Sequence, residues 1–190
     1  MFEKAGECGA SLLLFIYRAM DKKHIRYRDK TRVDSRKKRD GSIEECLKAA
    51  YRLLGYRQRS ETELRDKLNG KFAKATVDTV IEHLRTKHMI DDAAFAQYWR
   101  ERRQTLSPRS GRLVAVELRK KGVDKEVIDR ALAGYNDKEA AYSAAKKRAA
   151  LYYREGYSSF MRKVGSFLTR RGFNYEVAKQ TVDRLWSERD

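Results

Sequence analysis

The chain has 190 residues, of which 37% are charged and 41% hydrophobic, and a single proline, Pro108. That length allows a sizeable core in one or two ordinary domains, and so few breakers in so charged a chain favour long helices over sheet. The 44 Lys+Arg against 27 Asp+Glu leave a net charge of +17. Such a charge repels itself in a compact body and calls for an anionic partner: nucleic acid first, then an anionic membrane surface or an acidic protein face.

In chain order, the first feature is the apolar run "SLLLFIY", Ser11–Tyr17. It is far shorter than the roughly 20 residues of a membrane span, and no small-residue cleavage site follows, so neither a span nor a signal peptide is expected. Arg18–Arg39 then holds eleven Lys/Arg against three Asp with no helical or strand period, and residues 1–42 read as an extension that is mostly a mobile basic tail. Met20 stands between the two, which makes Met1–Ala19 readable as an upstream extension of the reading frame.

From Ser42 onward apolar residues recur at helical spacing. Ile43, Leu47, Ala50 and Leu54 line one face of a first predicted helix. Ser60 opens a second, with Glu63 three residues on as a capping box and Leu64 and Leu68 facing inward. Val77, Val80, Ile81 and Leu84 mark a third. Asp91 or Asp92 caps a fourth that carries Phe95, Tyr98 and Trp99. Further helices are predicted over Gly111–Lys121, Lys125–Ala133, Lys138–Arg154, Ser158–Arg171 and Tyr175–Ser187.

A shift of fifty and then one hundred residues lays Leu64 on Val114 and Val164, Leu68 on Leu118 and Leu168, and Lys71 on Lys121 and Arg171. "KKGVDKEV" (Lys120–Val127) thereby repeats as "RRGFNYEV" (Arg170–Val177), with a degraded copy "GKFAKATV" at Gly70–Val77. The predicted fold is all-α: three tandem three-helix repeats over 43–92, 93–136 and 137–190, stacked into an elongated curved body. At each copy a glycine, Gly122 or Gly172, suits the left-handed residue past a helix end, basic residues suit the last turn, and Asp124 and Asn174 are placed to cap the next helix. Capping accounts for each of these positions, but not for the charge of the repeats: residues 43–190 keep 32 Lys+Arg against 21 Asp+Glu, or +11.

Catalytic patterns are missing. There is no Gly-rich phosphate loop, no nucleophile elbow and no CxxC pair. Cys8 and Cys46 suggest a reducing compartment and make no disulfide framework or zinc cluster. His83 and His88 are five apart, on different faces of a helix. Carboxylates such as Glu63 with Lys67 read as solvated pairs at i, i+4. No enzyme activity, cofactor or metal is expected. What remains is basic residues among aromatics: Arg102 and Arg103 after Trp99, Arg109 and Arg112 at the helix start in "SPRSGR", and Lys146, Lys147, Arg148 and Arg154 around Tyr152 and Tyr153. A helix start flanked by arginines reads as a phosphate site. The aromatics are core by their spacing, and Tyr153 and Tyr157 stack on bases only if exposed.

The chain resembles the RecX family, bacterial regulators of the RecA recombinase. The resemblance is carried by "RQRSETELRDKL" (Arg57–Leu68), "MIDDAAFAQYW" (Met89–Trp99), "ELRKKGVDKEVIDRAL" (Glu117–Leu132) and "FLTRRGFNYEVAKQTVDRLW" (Phe167–Trp186). The chain departs from the family pattern at "SPRSGRLVAVEL", where Pro108 is displaced and Ser110 stands for glycine, and in its long N-terminal lead. The resemblance implies a non-enzymatic modulator, mainly an inhibitor, that lies in the groove of the RecA filament on DNA. The residues themselves support an elongated basic repeat and do not name RecA. A general DNA- or RNA-binding helical protein and a charged interaction scaffold remain the competing readings. The expectation is a cytoplasmic monomer whose partners are the RecA filament and, weakly and with salt dependence, single-stranded DNA, without membrane. Its candidate filament or DNA contacts are the cations least needed for capping: Arg102, Arg103, Arg109, Arg112, Lys146, Lys147, Arg148 and Arg154.

Overall fold

Helix α1 (Ile43–Tyr56) starts where the Ser42 hydroxyl accepts from Glu45 N–H, and its buried line is Cys46 and Ala50 with Leu47 and Leu54 half-buried. Ile43, expected on that face, is 53% exposed. As the first helical residue it lies beyond the reach of the core. The computed structural model describes residues 41–189, so the basic tail and the Met1–Ala19 extension lie outside the described residues.

Eight further α-helices follow among those residues: α2 (Glu61–Asn69), α3 (Lys74–Thr86), α4 (Asp92–Thr105), α5 (Gly111–Lys120), α6 (Lys125–Ala131), α7 (Asp137–Ala149), α8 (Tyr157–Arg170) and α9 (Tyr175–Ser187). The architecture is all-α, as the periodicity predicts. Each successive trio encloses its own core, the first around Leu64, Val77, Ile81 and Leu84, the second around Phe95, Val114, Leu118 and Ile128, the third around Phe160, Val164, Leu168 and Leu185. The six repeat-related positions Leu64, Leu68, Val114, Leu118, Val164 and Leu168 are all 0–1% exposed. Every extensive helix–helix packing falls inside one trio.

Helix α7 is shorter than its sequence suggests. It ends at Ala149, and a 3-10 turn (Ala150–Tyr152) bends the chain so that Tyr153 stacks on Phe160 at 5.6 Å between centroids. Phe160 also meets Trp186 at 5.0 Å, and the bulk of these rings leaves room for only the alanines 140, 141, 145 and 149 on the buried face of α7. Arg154 therefore lies beyond the long helix on which it was expected.

The repeated eight-residue segments are helix ends. Gly122 and Gly172 have φ of +76° and +87°, the left-handed region that favours glycine. Gly70 in the degraded copy stays right-handed at φ −67°. Asn174 accepts from Val177 N–H at 2.8 Å, whereas Asp124 occupies the cap position without a side-chain cap hydrogen bond.

Candidate anion-binding interface

The basic faces are positioned by two joints, one between each pair of consecutive trios. At the first joint the wholly buried Ser60 hydroxyl accepts from Glu63 N–H and donates to Lys121 O at 2.6 Å. Glu61 N–H at the start of α2 donates to Asp92 Oδ1 at 2.9 Å, so a carboxylate from the second trio caps a helix of the first. Burial raises the Asp92 pKa, against that hydrogen bond. The capping box at Ser60 is half made, because the Glu63 carboxylate turns instead to Arg57 (2.9 and 3.0 Å) and Lys121 (2.6 Å). Burial alone would raise its pKa, but the hydrogen bonds and charge of those two cations outweigh burial and hold it at about 2. The expected solvated pair of Glu63 with Lys67 is thus replaced by a joint-spanning one.

The second joint keeps the carboxylate cap, links its serine through a different donor, and changes the charges. Ser110, 1% exposed, accepts from Leu113 N–H with its hydroxyl and donates its own N–H to Arg171 O at 3.1 Å. Gly111 N–H donates to Asp137 Oδ1 at 2.7 Å, the counterpart of the Asp92 cap. The helix start in "SPRSGR" is accordingly filled by the protein's own hydroxyl and carboxylate. That corrects its reading as a phosphate site. Arg171 donates through Nη1 to Ser107 Oγ (3.2 Å) and Pro108 O (2.9 Å).

Of the eight candidate contacts, Arg103 and Arg109 converge on the Glu117 carboxylate, which also accepts from Trp99 Nε1 at 2.8 Å. Arg103 stacks over the Trp99 ring at 4.8 Å and its side chain is 19% exposed. Arg148 is half-buried, its guanidinium 5.0 Å from the Phe167 ring centre. Arg102, Arg112, Lys146, Lys147 and Arg154 are exposed, with Arg102 donating to Tyr98 Oη and Lys146 lying 5.5 Å from the Tyr142 ring. The aromatics are largely spoken for. Tyr153 packs on Phe160, and Tyr157 sets its edge against Trp186 while donating to Asp183 at 2.5 Å. Arg171 was missed from the sequence because its basic pair reads as helix-end charge. Its equivalence to Lys121 was the available signal.

Among the described residues no cluster of His, Cys, Asp and Glu is placed to hold a metal, and no helix is long and apolar enough to cross a membrane. Three small helical cores joined in tandem, with exposed cations on all three, define a tandem three-helix repeat with a charged surface.

The models described as the first and second three-helix domains of RecX match residues 46–84 and 91–132. The regulatory protein RecX of Chlorobium limicola is 34% identical over 148 residues, 77% of this chain and 93% of that protein. That of Prosthecochloris aestuarii is 31% identical over 148 residues, covering 77% and 97%. The crystal structure of RecX from Lactobacillus salivarius superposes with a TM-score of 0.64 at 24% identity, over 75% of this chain and 96% of that one, and shares its fold. The chain belongs to the RecX family of regulatory proteins.

Proposed function

We propose that this chain is a non-enzymatic, cytoplasmic modulator that binds the RecA filament on DNA and restrains it, using cations from more than one repeat. The observation that supports this reading best is the distribution of exposed positive charge. Arg102 and Arg112 belong to the second repeat, Lys146, Lys147 and Arg154 to the third, and none of the five has an ion-pair partner among the described residues. One three-helix unit is too short to track a helical groove, whereas two joined units double the contact. Arginine in such a groove pairs either phosphate or carboxylate through its planar fork.

The test is co-sedimentation with RecA assembled on single-stranded DNA, beside naked DNA and RecA alone, with RecA's DNA-dependent ATPase as a second readout. Preference for the assembled filament is the expected result. Reversing the charges of Arg102 with Arg112, or of Lys146, Lys147 and Arg154, weakens binding and relieves inhibition. Reversing both groups abolishes the effect, because linked sites act at high effective concentration. Equal binding to any DNA would instead establish a general nucleic-acid-binding protein. A doubly reversed, folded protein that still inhibits would remove these residues from the contact.

A further inference from the structure

The two joints differ in one systematic way. Glu63, the acid that pairs Lys121 across the first joint, is replaced at its equivalent position fifty residues on by Leu113. Glu117, the acid that pairs Arg103 within the second repeat, is replaced fifty residues on by Phe167. The cations are kept. Arg171 stands where Lys121 does, and Arg148 stands on α7 where Arg103 stands on α4, twelve residues past the respective caps Asn136 and Asp91. Arg103 Nε donates to Glu117 Oε2 at 2.7 Å, whereas Arg148 Nε is buried and has no hydrogen-bond partner. Arg148 and Arg171 lie 5.0 and 4.7 Å from the centre of the Phe167 ring. The only other bond of the Arg148 guanidinium among the described residues is a long one, 3.3 Å, to Tyr152 Oη.

From this substitution of apolar residues for both acids, with both cations retained, we infer that the joint between the second and third repeats is an oxyanion site, and that its ligand is a phosphate group. Arg148 and Arg171 flank Phe167, and Arg109 and Arg103 stand within Coulombic reach of Arg171 with the single carboxylate of Glu117 shared between them. Four guanidinium charges thus gather with one carboxylate, and only Arg103 and Arg109 pair with it. Burial, and then the charges of Arg109, Arg103 and Arg148, lower the Arg171 pKa, the sign expected of a cation gathered among others without its acid. Phosphate suits the place because guanidinium forks recognise it bidentately. Phe167 lies between the two cations, Arg148 Nε–H has no partner among the described residues, and Arg171, which spends Nη1 on Ser107 and Pro108, keeps its Nε–H and Nη2 groups for a ligand. The first joint carries its own acid, Glu63, which pairs Lys121 there. A bound phosphate would do for Arg171 what Glu63 does for Lys121, and so fasten the third repeat to the second.

The inference deepens the proposed function, since Arg103, Arg109 and Arg148 stand among the candidate contacts, but it is tested without filament. Inorganic phosphate is titrated at constant ionic strength while the arginine Nε–H signals are followed by NMR. The expected result is saturation of the Arg148 and Arg171 signals in the millimolar range, with a rise in thermal midpoint. Leu113→Glu supplies the acid that the first joint has; it should weaken phosphate binding at least tenfold while the phosphate-independent midpoint does not fall. Arg171→Gln should remove the Arg148 response. A uniform, unsaturated drift of all arginine signals, or unchanged binding in Leu113→Glu, overturns the site. A thymidine dinucleotide that competes for the same two signals identifies the phosphate as nucleic-acid backbone; failure to compete identifies free phosphate, and the site stands in both cases. A protein that saturates with phosphate yet ignores the filament keeps the site and removes the filament reading.

Discussion

Replacing Gly122 by alanine should be far more damaging than replacing Gly134, although both have φ near +70°. At Gly134 an added Cβ meets nothing within 4 Å. Its cost is the left-handed conformation, about 1–2 kcal/mol, less the 0.4–1 kcal/mol returned by a stiffer unfolded chain, hence about 1 kcal/mol. At Gly122 the same methyl lies 2.6 Å from Thr62 Cγ2 and closer still to its Oγ1 and Cβ. Thr62 is the second residue of α2 and cannot rotate its Cβ away, so the joint must open. Overpacking of this kind adds about 1–3 kcal/mol. Opening also strains the Ser60 hydroxyl bond to Lys121 O and the Lys121–Glu63 pair, about 1 kcal/mol more. The expected totals are about 1 kcal/mol for Gly134→Ala and about 3–5 kcal/mol for Gly122→Ala. Urea unfolding followed by far-ultraviolet circular dichroism measures both. If the two variants fall within about 0.5 kcal/mol of each other, the glycine is only a helix terminator and the crowded joint plays no part in stability.

The Glu63 carboxyl, held at about 2 against an ordinary 4.5, gives a pH dependence of definite sign. A depressed acid stabilises the fold above its unfolded pKa and loses that contribution as pH falls from about 5 toward 2. After screening at the partly exposed Arg57 the contribution is about 1–2 kcal/mol, so Glu63→Gln should lower stability at pH 7 by that amount and flatten the acid limb; an unchanged limb would refute the assignment. Leu118→Ala should cost about 2–5 kcal/mol by opening a cavity in the second core, and a loss under about 1 kcal/mol in urea unfolding would mean the site is not packed as described. Binding to single-stranded DNA alone should be weak. If about five phosphates are neutralised, log K should fall against log salt with a slope near −3.5, and a salt-independent affinity would refute the electrostatic account.

What the sequence reveals and what it hides divide by distance along the chain. Helical period, the inward Leu64, Leu118 and Leu168, and the left-handed glycines are local consequences of spacing and backbone sterics, and each stands where the pattern puts it. The joint chemistry is not local. Asp92 capping Glu61 and Asp137 capping Gly111 link residues 31 and 26 apart, and nothing in either segment alone distinguishes these acids from ordinary helix-start acids. Glu63 misleads for the same reason, since its i+4 lysine is visible in sequence and its real partner Lys121 is 58 residues away. The candidate contacts show the limit most plainly. Arg103 and Arg154 are indistinguishable as basic residues beside aromatics, yet one is clamped on Glu117 and Trp99 and the other is exposed. His88, with φ of +52°, ends α3 in the left-handed region without the glycine that would announce it.

The confinement of extensive packing to single trios bears on how the chain comes to be folded at all. The buried residues of each core come from one stretch, 46–90, 95–131 or 140–185, and Tyr135 packs against both the second and the third. Contacts so close in sequence close quickly, because little loop entropy must be lost before they form. On a ribosome the first trio has everything it needs once residue 90 is out, and the second can assemble while the third is being made. The order of synthesis then becomes the order of joining: Asp92 and Lys121 find Ser60 and Glu61 already set in a finished helix start, and Asp137 and Arg171 find Ser110 and Gly111 the same way. Each new repeat is built against a template completed before it.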